Sequence, residues 1–361
     1  MEDITMSEIL SLAKAYESYF KIGAAFSPNS LEIHKDLLRT QFNSFTCENQ
    51  MKYEPAEPLP GEFHFAPADS IANLARELGI KMRAHAPVWH TQTPDWMYQD
   101  GEQDADPELI YQRIDEHTKM MAARYNDVVY CWDVVNEATR DDAPAEGSGE
   151  SDVYRNSRYF QLCGSEFITR AFKSMDKYSP DAQLFYNDYN ECFPEKRERI
   201  VKLIRKLQED GCRVDGFGMQ QHYFFAPNYD ELKRSIETYA GLGLRLHVTE
   251  LDVSLMAVLN PTGDRIRPGD AAYDAYLKAA LNPTPEQINA ISEIYEKLFE
   301  IYRQYKDVID CVTTWGVADD ITWLDRFGTD PNAPKIKQYP LLFDMNHQPK
   351  PCVAQMIDAV K

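Results

Sequence analysis

The chain lacks several features that mark whole classes of protein. Its seven cysteines (47, 131, 163, 192, 212, 311 and 352) are odd in number and scattered, with no C-x-x-C pair. Neither a zinc ribbon nor a redox motif is indicated, and free thiols in a reducing cytoplasm are the simplest account. No run is apolar enough to span a bilayer. Positive charge is scarce: 38 Lys and Arg face 58 Asp and Glu, a net charge of −20. Such a surface repels phosphate backbones and anionic lipid, which argues against nucleic-acid and membrane partners. The N-terminal stretch has no basic region, no long apolar segment and no small-residue cleavage site, so no signal peptide is expected and the expected location is cytoplasmic. No H-E-x-x-H occurs, and His85 and His90, five apart, cannot point to one side of a strand, so metal catalysis is not expected. A full G-x-G-x-x-G turn is also missing. Its nearest approximations, Gly216-Phe-Gly218 and Gly241-Leu-Gly243, come late and lack the third glycine, which weakens a doubly wound sheet as the architecture.

What is present is a regular alternation. The chain has 361 residues, 43% of them hydrophobic, enough for a sizeable core. Eight short apolar runs read as strands: Phe20–Phe26, Phe42–Thr46, Ile80–Val88, Val128–Val135, Gln183–Asn187, Val214–Gln221, Leu244–Leu251 and Val308–Trp315. Amphipathic stretches lie between them, among them those starting at Ala68, Pro107 and Pro285. Eight such alternations with near-continuous apolar strands predict a closed parallel (β/α)8 TIM barrel, with residues 1–361 as a single domain. Two longer inserts, Arg140–Asp152 and Ala257–Pro285, follow the fourth and seventh strands. In a barrel both fall on the C-terminal face, where substrates bind, although either could be an inert decoration.

Two glutamates stand at the C-terminal ends of apolar strands. Glu137 ends VVYCWDVVNEA and Glu250 sits in LRLHVTELDV. A carboxylate flanked by buried residues is costly unless it has a use. Strands four and seven lie on opposite sides of a small barrel, so their ends can face each other across the mouth. Glycoside hydrolysis needs such a pair, one carboxyl protonated and one ionised. On this pattern alone, catalytic and structural roles both stay open.

The ordered motifs decide more. The chain carries KIGAAFS, FTCENQMKYE with GEFHFAPAD, HAPVWHTQTPDW, WDVVNEA, YNDYN, GFGMQQH, VTELDV, TTWGVAD and PLLFD. Together these resemble glycoside hydrolase family 10, chiefly endo-β-1,4-xylanases, and in particular its intracellular members without binding modules. The resemblance implies that Glu137 is the acid/base and Glu250 the nucleophile of a retaining double displacement. Asn136 matches the residue that bonds the sugar 2-hydroxyl, and His222 and Asp252 match the pair that orients and polarises the nucleophile. His85, Trp89 and Gln220 match residues around the reacting sugar. Glu48, Asn49 and Lys52 match the next subsite, and Trp315 and Trp323 match two cleft walls, where a flat indole fits a pyranose face.

Read without the resemblance, Trp89 and Trp315 are ordinary core aromatics, His85 is a satisfied core histidine, and Lys52 neutralises Glu48 or Glu54. His90 and His247 keep that plain reading. The sequence also departs from the family: Ala84-His85-Ala86-Pro87 stands where G-H-T is usual, and Tyr53 where tryptophan is common. The expected substrate is xylan or a xylo-oligosaccharide, with no cofactor and no metal. A cellulase or β-xylosidase of the same design, or a sugar-binding protein without catalysis, are the alternatives. The oligomeric state is left open.

Overall fold

In the computed structural model, which describes residues 11–261, 271–326 and 336–361, each of the eight apolar runs forms a strand. These are β1 (Lys21–Phe26), β2 (Ser44–Cys47), β3 (Lys81–Trp89), β4 (Val129–Asn136), β5 (Gln183–Asp188), β6 (Gly216–Met219), β7 (Arg245–Val253) and β8 (Ile309–Thr314). Every neighbouring pair runs parallel, and β8 pairs with β1 as well as with β7, so the sheet closes on itself. This is the (β/α)8 barrel, not the open doubly wound sheet.

The principal helices are α1 (Lys35–Gln41), α2 (Ala66–Leu78), α3 (Pro107–Tyr125), α4 (Glu166–Tyr178), α5 (Pro194–Glu209), α6 (Tyr229–Ala240), α7 (Pro285–Gln304) and α8 (Pro351–Asp358). Their starts are chemically specified. In α3 the Asp106 side chain accepts from Leu109 N and Pro107 takes the first turn, where no N–H is needed. In α7 Thr284 and Gln287 form a reciprocal capping box ahead of Pro285. The apolar stripes of these helices pack on the strands' outer faces, where Leu184, Tyr186, Phe217, Leu246 and Val312 are essentially buried. Among the described residues no helix is long and apolar enough to cross a membrane.

One boundary differs from the sequence reading in a way that matters. Strand β6 stops at Met219 rather than Gln221. Gln221 has φ 59, the left-handed region that extended residues avoid, so the chain turns there. His222 and Tyr223 then pair again with Asp252 and Val253 of β7. The turn places Gln220, Gln221 and His222 at the barrel mouth instead of within a regular strand.

The inserts divide. Residues 140–152 fold against α5: Arg199 of that helix donates to the carbonyls of Asp152 and Asp141 at 2.8 and 2.9 Å. The Ala257–Pro285 insert lies partly outside the described residues. Its described parts include two short helices, Leu255–Leu259 and Ala271–Leu281.

Candidate active site

Strands β4 and β7 deliver the two glutamates. Glu137 is the first residue after β4 and holds φ 56, an uncommon conformation for a residue with a side chain. Glu250 sits inside β7. Both line one cavity of about 520 Å³ at the mouth of the barrel. Glu48, Asn49, Lys52, His85, Trp89, Asn136, Gln220, His222, Trp315 and Trp323 line it too. Asp252, the one remaining expected residue, does not line it but stands behind His222. A larger hollow of about 1030 Å³ lies outside the barrel between α3 and α4 and touches neither glutamate.

Glu250 is held at both oxygens. Asn187 Nδ2 donates to Oε1 at 2.8 Å, and His222 Nε2 lies 3.2 Å from Oε2. The other ring nitrogen of His222 pairs with Asp252 Oδ1 at 2.9 Å. Trp323 Nε1 donates to the second oxygen of Asp252 at 2.8 Å. His85 Nδ1 lies 2.8 Å from Asp133 and 4.0 Å from Glu250 Oε1. Burial pushes the Glu250 carboxyl up, but His85, His222 and Arg83 together outweigh it and bring the pKa down to about 2. The same pairing acts on His222 in reverse. Burial lowers its pKa, and Asp252 and Glu250 raise it to about 10.

Glu137 meets different neighbours. Gln220 Nε2 donates to its Oε1 at 2.9 Å, Asn136 Nδ2 at 3.1 Å, and Trp89 Nε1 donates to Oε2 at 2.8 Å. All three donors are neutral, and no cation is bonded to this carboxyl among the described residues. Burial raises its pKa, and the negative charges of Asp188 and Glu250 add to the effect, while the Gln220 and Trp89 bonds offset part of it. One cleft thus holds one carboxyl displaced upward and another displaced to about 2. Such a pair offers a proton donor and an ionised nucleophile at the same pH.

The walls are aromatic. Lys52 Nζ lies 4.6 Å from the Trp89 ring and 5.8 Å from the Trp315 ring, and donates to Asn49 Oδ1 at 2.9 Å. Trp315 stands edge-on to His85, 5.3 Å between ring centres. These indoles, with Trp323, line the cavity, although Trp315 is also largely buried.

Residues 11–359 match the family described as glycosyl hydrolase family 10. The chain is 40% identical over 352 residues to endo-1,4-beta-xylanase A of Caldicellulosiruptor saccharolyticus, covering 96% of this chain and 95% of that one. It superposes with TM-score 0.85 on the crystal structure of xylanase XynB from Paenibacillus barcinonensis, at 38% identity over 97% of this chain and 99% of the other. It also superposes with TM-score 0.80 on a glutamate-to-alanine mutant of an intracellular xylanase from Thermoanaerobacterium saccharolyticum, complexed with xylotriose, at 31% identity and 99% coverage of both chains. The chain belongs to glycosyl hydrolase family 10. It is a glycoside hydrolase.

The two departures from the family pattern leave the site assembled. With Ala84 and Ala86 in β3, His85 and Trp89 still line the cavity. Tyr53 stacks on the buried ring of His117 at 3.8 Å, and its hydroxyl donates to Arg113 O at 3.1 Å. His247 is buried inside the barrel, as the plain reading expects.

Several contributing residues were not singled out from the sequence of this family 10 chain. Asn187 bridges the two halves of the site, donating to Asn136 Oδ1 at 2.9 Å as well as to Glu250. Thr249 Oγ1 donates to its amide oxygen at 2.8 Å, and Arg83 Nη2 reaches the same oxygen at 3.3 Å. Gly218 makes room for it, since a Cβ there would collide with the Asn187 side chain. The G-x-G that failed as a nucleotide turn therefore serves packing inside the barrel, Gly218 making room for Asn187 and Gly216 for the Phe185 ring. Arg83 also forms a fully buried ion pair with Asp133. The available signal was charge inside otherwise apolar strands, as in KMRAHAPVW and CWDVVN, which only a paired or functional group repays. The Arg140–Asp152 insert acts indirectly: Asp141 accepts from the hydroxyl of Tyr189, a cavity-lining residue, at 2.5 Å.

The cause of the low Glu250 pKa makes a test. Replacing His222 with alanine removes a hydrogen bond and a charge that hold Glu250 ionised, while its burial remains. Its pKa must then rise from about 2. Activity requiring ionised Glu250 will appear only at higher pH, so the acid limb of kcat/KM moves upward. The pH profile on an aryl β-xyloside checks this, and an unmoved acid limb contradicts it.

Proposed function

We propose that the chain is a retaining endo-β-1,4-xylanase that cleaves xylo-oligosaccharides by double displacement. The observation that carries the reading is the opposite displacement of two carboxyl pKa values within one aromatic-walled cleft. In the first step the Glu250 carboxylate attacks the anomeric carbon, and Glu137 passes its proton to the departing oxygen. The glycosidic bond breaks and an ester to Glu250 forms. Glu137 is then ionised, and the charge of Glu250, one of the causes raising its pKa, has gone into the ester. Its pKa falls, which suits it to take a proton from water in the second step. That water attacks the anomeric carbon and releases the Glu250 carboxylate.

Positioning follows from the hydrogen bonds. Asn136 gives its carbonyl oxygen to Asn187 and Gln220 and one N–H to Glu137, which leaves its second N–H for the sugar 2-hydroxyl. Glu48, Asn49 and Lys52 would bond the hydroxyls of the next xylose, with Trp315 and Trp323 against its ring faces. No cofactor enters this scheme.

A cytoplasmic location and short substrates belong to the same reading. All seven cysteines are free, and six of them are buried, which fits a reducing compartment. The Thermoanaerobacterium saccharolyticum relative is itself described as intracellular and was crystallised with xylotriose. A polymer does not enter the cytoplasm, whereas imported xylo-oligosaccharides would need shortening there. The expected result is a higher kcat/KM on xylotetraose than on soluble xylan. Measuring xylotriose, xylotetraose, cellotetraose and xylan under one set of conditions tests it. Preference for the polymer overturns the oligosaccharide reading, and preference for cellotetraose overturns the xylanase one.

A further inference from the structure

We propose that His34, Asp320 and His347 form a binding site for a divalent transition-metal ion of the zinc type, separate from the hydrolytic cleft. The three come from distant parts of the chain: the segment between β1 and α1, the segment after β8, and the stretch leading to α8. His34 Nε2 lies 2.8 Å from Asp320 Oδ1, and His347 Nε2 lies 3.1 Å from Oδ2. The ligand atoms of all three lie within 4.8 Å of one another. Among the described residues, no other group of three or more His, Cys, Asp or Glu side chains brings its ligand atoms together in this way.

Two imidazoles on one carboxylate exceed what charge pairing needs. The His34 side chain is wholly buried, with its Nε2 turned to the Asp320 carboxylate. Lys337 does not compete for the Asp320 carboxylate. Its ammonium goes to the backbone carbonyls of Asp319 and Asp320 and to the Asp325 carboxylate. Both oxygens of Asp320 are thus left to the two histidines.

The chemistry of the donors selects the ion. Two imidazole nitrogens and a carboxylate oxygen suit zinc and its neighbours rather than calcium or magnesium, which prefer all-oxygen shells. Zinc–ligand bonds of about 2.0–2.2 Å put tetrahedral donor atoms about 3.3 Å apart, so a cluster spread over as much as 4.8 Å must draw in by up to about 1.5 Å at its widest. The side chains of Asp320 and His347 are 21% and 28% exposed, which gives an ion its entry and a water the fourth position. On binding, each ring offers the Nε2 lone pair and carries its proton on Nδ1. His34 Nδ1 is buried with no partner. The site therefore lacks on that side the outer hydrogen bond worth about 10–100-fold in affinity, and binding should be weaker than in enzymes built around zinc.

The placement gives the ion a structural task. Asp320 lies between Trp315 and Trp323, the cleft walls, while none of the three ligands lines the cavity that holds Glu137 and Glu250. A bound metal would clamp the tryptophan-bearing segment to the segment after β1 and to the C-terminal stretch, and would take no part in bond cleavage.

Cobalt(II) titration of the EDTA-treated full chain tests this, with His347→Ala and Asp320→Asn beside the native sequence. These two positions are partly exposed, whereas His34 is buried and its loss risks misfolding. The native chain should bind one ion with a visible d–d spectrum and no thiolate charge-transfer band, and Zn²⁺ should raise its Tm. Each variant should hydrolyse xylo-oligosaccharides normally, lose the Tm shift, and bind at least about 10–100-fold more weakly, the loss that even an outer-shell partner causes. Absence of a cobalt spectrum in the native chain, a thiolate band, or equal binding in His347→Ala would overturn the proposal.

Discussion

Glu250→Ala loses hydrolysis of every substrate, including aryl xylosides with excellent leaving groups. The expected loss is ~10⁴-fold or more, by the scale of removing an essential nucleophile in a serine protease. The reason is specific to the site. The other acids lining the cavity are Glu137, whose pKa is raised, and Glu48, which follows β2. The residues that hold Glu250, namely Asn187 and His222, cannot form the glycosyl ester in its place. The substitution also removes one of the negative charges facing buried Arg83 and His222, which keep Asp133 and Asp252, and leaves the Asn187 amide without an acceptor, so stability falls as well. Glu250→Gln, of the same shape, separates the two effects. Kinetics on an aryl xyloside and on xylotetraose, with a thermal melt of each variant, make the check. Retention of more than a tenth of the native rate by a folded variant contradicts the nucleophile assignment.

Glu137→Ala should divide substrates by leaving group. An aryl oxide with a low pKa departs without a proton, so the first step survives on activated xylosides. The second step still needs a base for water and slows strongly. The expected trace is a burst of phenol followed by slow turnover. On xylotetraose and xylan, whose leaving groups are sugar alkoxides, activity should nearly vanish. The loss of the acceptor for Gln220 and Trp89 costs about 1–3 kcal/mol if those groups stay dry, a stability effect that a melt will register. Equal loss on both substrate types contradicts the acid/base role.

Much of this arrangement was legible before any coordinates. The eight apolar runs carried strand order and the barrel because a parallel barrel buries both faces of every strand. Helix α3 begins at Pro107 and ends at Tyr125, the bounds its periodicity gives, because Asp106 and Pro107 specify the start chemically. The end of β6 was not legible. Met219-Gln220-Gln221 carries no Gly, Pro, Asn or Asp to mark a turn, and the turn depends on a left-handed Gln221 whose side chain is fixed by partners far along the chain, Glu191 and Tyr302. Within the site, the glutamates and tryptophans stood out through ordered motifs. Asn187 did not, because its value lies in three simultaneous bonds to residues 51, 62 and 63 positions away. His34, Asp320 and His347 were hidden for the same reason, since only the closed barrel brings them together.

The central claim is that Glu250 carries the sugar between two steps governed by Glu137. Mass spectrometry of Glu137→Ala, quenched during turnover of an activated aryl xyloside, tests it most directly. The variant lacks the base for the second step, so the intermediate should accumulate. The expected result is a chain heavier by one xylosyl unit, with the added mass on the peptide containing Glu250. A chain of unchanged mass throughout the burst, or a sugar attached to any other residue, would contradict the account.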